Sequence, residues 1–484
     1  MLKSFFLPAP TDGLNLRASP YELKITEAQQ LDNYLVYDWG IRETGSYGTL
    51  THPASGIVKQ LICFKDDNGA ALELICVANK VYLANNPNWT TPTDMTGALT
   101  ITSDAWRYCI WNKRIFMVNS TDAGLIYTIA GGSLAADTWT GLTTDNASQV
   151  FAFKQRLYYI EKNSTSFWYG PESSVSGALS EYDVSDFLED YGTLLFGTSW
   201  SVNQGNYNEQ LFIIVTSAGE VLVYSGDSPE ADNWALVTRI SIPMPIGNQA
   251  FTRLGQDLLI CTSRGVISLA AFLAGRGDNE SYYLVSGKLA DTLGTAANVP
   301  PIRDSVRPFM YFPSSSSQYV YALNYERGAW SRINTGVSSS TITAMAFYED
   351  TSGTGAFLNM SFANSGSRRV LEGGNTESHI WRSGFLAVEP DKYKQVQKMK
   401  VIGRNTFGTD RFSATASVAF DVLTATTESD TKTVSTTSTD YTSVELQPPG
   451  IGRRPSVYFS KTSASERNEI VGCDMFYTYT GGQE

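Results

Sequence analysis

The stretch Gln210-Leu-Phe-Ile-Ile-Val-Thr-Ser-Ala-Gly-Glu-Val-Leu-Val-Tyr224 indicates the fold class of the chain. Two apolar runs are separated by Ser-Ala-Gly, which is typical of a β-hairpin with a short loop that contains glycine. Residues 257–269 repeat this design, with Ser-Arg-Gly between two further apolar runs. Because repeated hairpins are the units of propeller blades, we predict an all-β protein with a β-propeller.

Outward from this stretch, a strand with an aromatic residue is followed by a turn and a Trp five times between residues 50 and 385. The pairs are Tyr82 and Trp89, Tyr127 and Trp139, Tyr158 and Trp168, Tyr224 and Trp234, and Tyr321 and Trp330. The spacing between pairs is irregular, but it averages near the ~40–50 residues of a blade if the long spans hide unmarked units. Residues 267–269 are a candidate for one such strand. We therefore predict six or seven blades, with a generic β-sandwich as the alternative.

Composition agrees with a folded β protein and argues against several classes. Of 484 residues, 36 are Lys or Arg and 48 are Asp or Glu, so the net charge is −12. Aromatic residues make up 12% of the chain, which argues against disorder. A broad basic surface for nucleic acid is not expected at this charge, since phosphates are neutralised by Lys and Arg.

The termini and the cysteines carry further expectations. Only Phe5, Phe6 and Leu7 stand in an apolar row before Pro8, which is too short for a signal peptide. We therefore expect a soluble protein made without Sec export and without a membrane-spanning segment. The five cysteines are scattered and form no C-x-x-C pair, so we predict buried free thiols.

Three segments are predicted along the chain: an N-terminal arm at 1–48, the propeller at 49–385 and a C-terminal β domain at 386–484. Within the arm we predict one helix, from a capping box at Thr26 and Gln29 and from helical spacing of Ala28, Leu31 and Leu35.

In the C-terminal domain, period-two alternation over 412–422 and 471–479 predicts strands with one buried face. The Ser/Thr-rich segment 413–443 lies between them, and its centre at 424–442 could equally be a long projecting hairpin.

Few residues suggest catalysis. His52 and His379 are the only histidines, and neither has a neighbour at metal-ligand spacing. The segment 120–127 (Ser-Thr-Asp-Ala-Gly-Leu-Ile-Tyr) is similar to the Asp-box of sialidase propellers, but it occurs once and is interpreted as an Asp-Gly turn. The acidic residues 181–191 are interpreted as a solvated loop or a short helix. We predict that the protein is not an enzyme and has no cofactor and no metal.

Basic residues are concentrated near the start of the C-terminal domain. Four lysines at even offsets would share one face of a strand. They are Lys392, Lys394, Lys398 and Lys400. Adjacent pairs occur at Arg368-Arg369 and Arg453-Arg454. A solvated face is the default interpretation, contact with an acidic partner protein comes next, and direct DNA binding is least favoured.

Several stretches resemble a family of bacteriophage tail proteins. Residues 215–237 are similar to a hallmark stretch of short-tailed phages, and the similarity continues in register through 245–247 and 255–269. Tyr321–Ser331 matches a blade motif of the family. The opening Pro10–Arg17, with Pro20, Ala28, Leu31 and Asn33, is similar to its N-terminal arm. The resemblance spans most of residues 8–385 and identifies the tail nozzle family, also called tail tubular protein B or packaged-DNA stabilisation protein.

This resemblance implies a structural virion protein. Members are expected to form a homohexameric ring below the adaptor (gatekeeper) ring under the portal. The ring prolongs the DNA channel, retains the packaged genome and opens for DNA ejection. Partners would be further copies, the adaptor ring, double-stranded DNA in transit and, as a further candidate, tail fibres. The protein would be made in the bacterial cytoplasm and reside in the virion tail. Negative charge suits such a conduit, because tight phosphate binding would hinder transit.

We expect the arm and the C-terminal domain to form a platform that docks on the adaptor, with the propeller as outer wall and distal gate. The candidate docking residues are Pro10, Gly13, Leu14, Asn15, Arg17, Lys392, Lys394, Lys398 and Lys400. The alternative is a receptor-binding or glycan-degrading tail protein on a propeller scaffold. A third class, a host propeller scaffold, would be expected to show a regular WD or kelch repeat.

Overall fold

A computed structural model of the chain describes residues 1–86, 88–203, 208–276, 283–293, 299–314, 318–338, 340–350, 355–364, 366–371, 377–405, 411–420, 430–435, 442–447, 451–463 and 468–480. In these ranges strands dominate, and helices are limited to short turns. The helical turns are Thr144–Asn146, Ser185–Phe187, Leu269–Ala271 continuing into Phe272–Arg276, and Gly287–Thr292. No helix in the described ranges is long and apolar enough to cross a membrane.

The first fifty residues contribute six strands. They are β1 (Lys3–Pro8), β2 (Gly13–Leu14), β3 (Glu27–Asp32), β4 (Tyr34–Tyr37), β5 (Gly40–Glu43) and β6 (Gly45–Leu50). The predicted helix is therefore wrong, because Ala28 and Leu31 lie in β3, where Leu31 pairs with Trp381. Both are fully buried. Strand partners far along the chain cover this segment on both edges, and such tertiary pairing overrides a weak local helical pattern.

Antiparallel sheets of three or four strands then follow one another as blades. Blade 1 has β7 (Gln60–Lys65), β8 (Ala71–Val77), β9 (Lys80–Ala84) and β10 (Thr93–Asp94). Blade 2 has β11 (Arg107–Trp111), β12 (Arg114–Val118), β13 (Leu125–Thr128) and β14 (Ser133–Ala136). After β15 (Trp139–Thr140), blade 3 has β16 (Ala147–Phe153), β17 (Arg156–Glu161), β18 (Ser166–Tyr169), then β19 (Gly177–Ala178), which pairs with β15, and finally β20 (Ser180–Asp183).

The remaining blades complete the series. Blade 4 has β21 (Leu194–Asn203), β22 (Asn208–Thr216), β23 (Glu220–Ser225) and β24 (Ala235–Ser241). Blade 5 has β25 (Phe251–Leu254), β26 (Asp257–Thr262) and β27 (Gly265–Ser268). Blade 6 has β28 (Ile302–Arg303), β29 (Phe309–Pro313), β30 (Tyr319–Asn324) and β31 (Ala329–Asn334). Blade 7 has β32 (Ile342–Asp350), β33 (Gly355–Phe362) and β34 (Gly366–Leu371), with β6 as its outer strand.

Apolar clusters join each blade to the next and close the ring. Each of the following pairs contributes to one cluster: Phe64 and Tyr127 for blades 1 and 2, Phe116 and Tyr159 for 2 and 3, Phe153 and Phe212 for 3 and 4, Ile213 and Ile260 for 4 and 5, Leu259 and Met310 for 5 and 6, Tyr311 and Met360 for 6 and 7, and Ala344 and Ile75 for 7 and 1. The predicted propeller is confirmed, and the described residues form seven blades.

The last part of the chain forms eight more strands. They are β35 (Glu377–Ser383), β36 (Lys394–Asn405), β37 (Arg411–Phe420), β38 (Asp430–Ser435), β39 (Thr442–Leu446), β40 (Ile451–Gly452), β41 (Pro455–Ser463) and β42 (Asn468–Tyr479). One sheet has the order β39-β36-β42-β5-β4, with β1 on β42 and β40 on β36. The other extends blade 6 outward from β31 through β2, β3, β35, β41, β37 and β38.

We call these two layers, without the strands of blade 6, the platform. Their facing sides bury one core, with Trp381 and Phe459 from the blade 6 extension and Met399 and Met475 from the other sheet. The same core reaches Trp330 of blade 6, so the platform and the propeller share it. The confirmed fold class is thus a β-propeller with a β platform to which both chain ends contribute.

The strands do not follow the predicted segment bounds at residues 48 and 385. Strand β6 crosses residue 48 and completes blade 7, while β35 precedes residue 385 and belongs to the platform. In the Ser/Thr-rich segment, β38 pairs with β37 in one layer and β39 pairs with β36 in the other. These strands are part of the platform rather than of a projecting hairpin; residues 424–429 and 436–441 lie outside the described ranges.

Candidate docking face, propeller axis and cavity

The four lysines in and just before β36 do not share one face. A β-bulge lies between Val396 and Lys398, opposite consecutive residues of β42. An extra residue in a strand shifts the alternation by one, so side chains beyond it point to the other side. Lys394 is therefore buried on the core side, whereas Lys398 and Lys400 lie on the outer side. The prediction of one basic face is wrong because the even spacing includes the bulge.

Lys394 has a structural role in this arrangement. Its side chain is 0% exposed, and its Nζ donates to the backbone oxygens of Glu389 at 2.7 Å, Lys392 at 2.9 Å and Arg453 at 2.6 Å. Three carbonyl oxygens satisfy the ammonium donors and fix the chain entering β36. Lys394 is thus unavailable to a partner protein.

The N-terminal candidates are also mostly internal. Pro10, Gly13 and Leu14 are buried within the chain, and β2 pairs with β3 and β31. Asn15 is half-buried, and its amide donates to Glu27 at 3.1 Å. Arg17 is exposed. Of the predicted docking residues, Arg17 and Lys392 are therefore exposed, and Asn15, Lys398 and Lys400 are partly exposed.

The platform sheet that contains β36, β42 and β1 has an outer side, which we call the docking face. This docking face combines cations with apolar side chains. Lys398 pairs across the strands with Phe476, which pairs in turn with Ser4 of β1; the next row contains Lys400, Asp474 and Phe6. The Nζ atoms of Lys398 and Lys400 lie 5.0 Å and 5.8 Å from the ring centre of Phe476. Phe6 is 45% exposed and Leu2 is 51% exposed. Lys398 also forms an ion pair with Glu445 at 3.3 Å, so the rim of this apolar patch carries charges of both signs. An exposed apolar patch with a polar rim is typical of an interaction surface.

The propeller axis is crossed by a hydrogen bond at one end. Arg107 Nε, at the start of the first strand of blade 2, donates to Asn248 Oδ1, just before blade 5, at 3.0 Å. Blades 2 and 5 stand on opposite sides of a seven-membered ring. Asn248 also donates to the Ser148 backbone oxygen of blade 3 at 3.3 Å. Burial lowers the pKa of Arg107 to about 10, so it stays charged at neutral pH. Arg107 and Asn248 thus link blades 2 and 5 at this end, where both also line a cavity of about 230 Å³.

The segment similar to an Asp-box forms a structural turn. Asp122 accepts hydrogen bonds from the backbone N of Thr102 and of Ser103, both at 2.9 Å, and from Asn119 Nδ2 at 2.8 Å. Burial alone would raise the pKa of Asp122, but these donors together lower it. A side chain at Gly124 would overlap the carboxylate of Asp137. Both motif positions are accounted for by packing in blade 2.

The two histidines and the acidic segment 181–191 also have structural surroundings. His52 Nε2 contacts Ser367 Oγ at 2.7 Å, and buried His379 Nε2 contacts the Thr44 backbone oxygen at 2.9 Å. The acidic segment, expected to be a loop or a short helix, begins with strand β20, which was not expected, and continues into the single 3-10 turn Ser185–Phe187. No group of three His, Cys, Asp or Glu residues suited to a metal ion occurs in the described ranges.

One surface feature was not anticipated from the sequence. A cavity of about 660 Å³ opens between the loops of blades 2, 3 and 4. Its lining includes Trp111, Lys154, Gln155, Arg156, Glu172, Gln210 and Asp227. These residues come from five separate turns and strand ends, so no local motif marks them. Only the Trp at the end of β11 could have drawn attention.

No protein-family model matches this sequence, and no curated protein matches it. Solved structures with a similar chain course include the extracellular domain of the putative hybrid two component system BT3049 from B. thetaiotaomicron, at 10% identity and TM-score 0.47. This similarity covers 69% of the present chain and 43% of the length of that chain.

Two further structures are YCF48 from Cyanidioschyzon merolae and the WD40 beta propeller domain of Doa1. YCF48 has 9% identity and TM-score 0.40, over 67% of this chain and 98% of that one. The Doa1 domain has 9% identity and TM-score 0.41, over 68% of this chain and 96% of that one. One fold can host many unrelated functions, so a similar chain course does not define an activity.

Proposed function

We propose that this protein is a subunit of the tail nozzle of a short-tailed bacteriophage, a ring that prolongs the DNA channel, retains the genome and opens for ejection. The observation that supports this most is where the family-like stretches lie. Residues 215–237, 255–269 and 321–331 contribute to the consecutive blades 4, 5 and 6, and blade 6 carries the platform. The resemblance thus follows a continuous part of the fold.

The hydrogen bond across the propeller bears on how such a nozzle would work. Because the Arg107–Asn248 hydrogen bond crosses the propeller axis, double-stranded DNA would run between copies and not through one propeller. The channel would then be lined by the part of each copy's outer surface that faces the centre of the ring. A net charge of −12 per chain would repel phosphates and limit adhesion during transit.

The docking face is the proposed contact with the adaptor ring. It offers Lys398, Lys400, Phe6 and Phe476, and Lys392 is an exposed cation just before β36. Arg17 is exposed but follows β2 in the other layer. Aromatic residues supply contact area, and the cations favour an acidic partner surface. Deleting residues 1–20 would not test this contact cleanly, since β1 and β2 would be lost from the platform.

The function is tested on purified virions by electron microscopy with an antibody against this protein. We expect label on the tail axis below the portal, at a copy number per particle that quantitative mass spectrometry finds to match a hexameric ring. Label on peripheral appendages would instead favour the receptor-binding or glycan-degrading alternative. Absence from particles would reject both tail functions.

The docking face is tested separately with the double variant Lys398→Glu plus Lys400→Glu. We expect incorporation into particles to fall about tenfold, because reversed charge opposes an acidic partner. The matched control is Lys65→Glu plus Lys113→Glu, which makes the same charge change at exposed positions of blades 1 and 2. Equal incorporation of both folded variants would reject this docking face.

A further inference from the structure

We propose that the cavity between blades 2, 3 and 4 is a binding site for an uncharged oligosaccharide. The inference concerns binding and is independent of the nozzle proposal.

The lining is balanced in charge and its cations already have partners. Lys154 Nζ lies 3.0 Å from Asp227 Oδ1. Arg156 Nη1 donates to the Gly170 backbone oxygen at 3.2 Å and lies 3.6 Å from Glu230 Oε1. With Glu172 also lining the cavity, an anionic ligand would meet as many carboxylates as cations. The charge pattern therefore favours a neutral polar ligand.

The side chains that remain suit a polyol. Trp111 is half-buried, and its indole contacts Phe116 with ring centres 6.2 Å apart, which supports it from one side. An indole offers a flat apolar surface of the kind that the C–H face of a pyranose can cover. Gln155 and Gln210 line the cavity with amides, which can donate to and accept from hydroxyl groups. The Gln155 amide oxygen already accepts from Ser173 Oγ at 2.7 Å, so this side chain would offer a ligand its NH₂ group.

Size and position agree with a ligand site. A volume of about 660 Å³ falls within the ~300–1,000 Å³ of small-ligand pockets. Trp111 ends β11, Lys154 and Gln155 form the β16–β17 turn, and Asp227 follows β23. The site is thus built from loops held by three packed blades, an arrangement that keeps binding groups in place without a conformational change.

The test uses a microarray of neutral and acidic bacterial surface oligosaccharides, followed by calorimetric titration with the glycan that binds best. We expect neutral glycans to bind the full-length protein, and Trp111→Ala to weaken binding about tenfold or more. Trp111→Phe keeps a flat ring and should retain most of the affinity. Trp39→Ala is the matched control, because Trp39 is an exposed indole on the platform side.

Three results would overturn the proposal. They are no binding to any glycan on the array, binding restricted to acidic glycans, and equal affinities for Trp111→Ala and Trp39→Ala. Circular dichroism shows whether each variant is folded. If Trp111→Ala is unfolded, Gln210→Ala takes its place, because it removes an amide from the cavity lining and should also weaken binding relative to Trp39→Ala. Since the virion-labelling experiment does not depend on Trp111, failure of this site leaves the proposed nozzle function unaffected.

Discussion

Gly13 of β2 and Trp330 of β31 pair in parallel register where the platform joins blade 6. Gly13 has a φ of +77°, and a side chain there would come within 2.5 Å of the Trp330 carbonyl oxygen. Trp330 is fully buried, and its indole donates to the Val285 backbone oxygen at 3.1 Å. The junction between the two parts of the molecule therefore depends on glycine at position 13.

Gly13→Ala should destabilise the protein by about 3 kcal/mol or more, because it combines a left-handed backbone with a backbone clash. Chemical denaturation measures the change. Gly255→Ala is the control, since Gly255 has a φ of +58° but open space around its Cα. We expect Gly255→Ala to lower the free energy of unfolding by only about 1 kcal/mol. Equal losses would show that the contact with Trp330 is not the cause.

Glu73 makes the closure between blades 7 and 1 sensitive to pH. The side chain is 0% exposed, and it accepts hydrogen bonds from Trp89 Nε1 at 2.6 Å and Asn359 Nδ2 at 2.8 Å. Burial raises the pKa of Glu73 to about 7 despite these donors and the neighbouring Cys63 thiol. A carboxyl with a raised pKa in the folded state favours folding when protonated. Its contribution is therefore lost as pH rises from about 4.5 to about 7.

Glu73→Gln should remove this dependence, because the amide oxygen still accepts while no charge is buried. The free energy of unfolding of the variant should equal that of the unmodified protein near pH 4.5. It should exceed that of the unmodified protein by up to about 3 kcal/mol near pH 8. Denaturation curves across this range test the prediction. Glu349→Gln is the control: hydrogen bonds from Lys65 and Ser305 lower the pKa of Glu349, so its effect should be constant over the same range. A constant difference for Glu73→Gln would contradict the assignment.

Asp122 should matter for stability rather than for chemistry. Asp122→Ala leaves the backbone donors of Thr102 and Ser103 without their acceptor, so we expect a loss of about 2 to 3 kcal/mol. Thermal or chemical unfolding measures it. The control, Asp145→Ala, changes an exposed residue in a nearby turn and should stay within about 0.5 kcal/mol. A stable Asp122→Ala variant would mean that the turn does not need this carboxylate.

The five cysteines should be free and slow to react in the folded protein. The residues are Cys63, Cys76, Cys109, Cys261 and Cys473. Burial raises the pKa of each thiol, in the case of Cys109 and Cys261 to about 12, so little thiolate is present near neutral pH. Intact mass after iodoacetamide should show little labelling when native and five additions in guanidinium. Fewer than five additions without reductant would indicate a disulfide.

Much of the propeller was predictable, because its hairpins are local. The loop at Ser217–Gly219 and the apolar runs beside it specify β22 and β23 within a short stretch, and the same holds for β26 and β27. Alternation over 471–479 likewise places Cys473, Met475 and Tyr477 on the buried side of β42. In each case the side-chain period and the turn chemistry act between close neighbours.

The site residues depended more on distant contacts. Lys394 is internal because a bulge at residues 396–398 shifts the alternation, and an even spacing cannot reveal a bulge. The cavity joins Trp111 to Asp227 through the packing of three blades, and nothing in either local stretch indicates the other. A side chain's neighbours across sheets are set by register, which the chain fixes only once folded.

By itself, the sequence determined that the chain forms repeated antiparallel hairpins and a second β region, since these follow from local periodicity. Only the tertiary structure decided how the ends are used: β6 completes blade 7, and β2 and β3 join blade 6 to the platform. The segment around Leu31 shows the physical reason. Its helical spacing is worth little beside complete burial between strands contributed by residues 329–334 and 377–383.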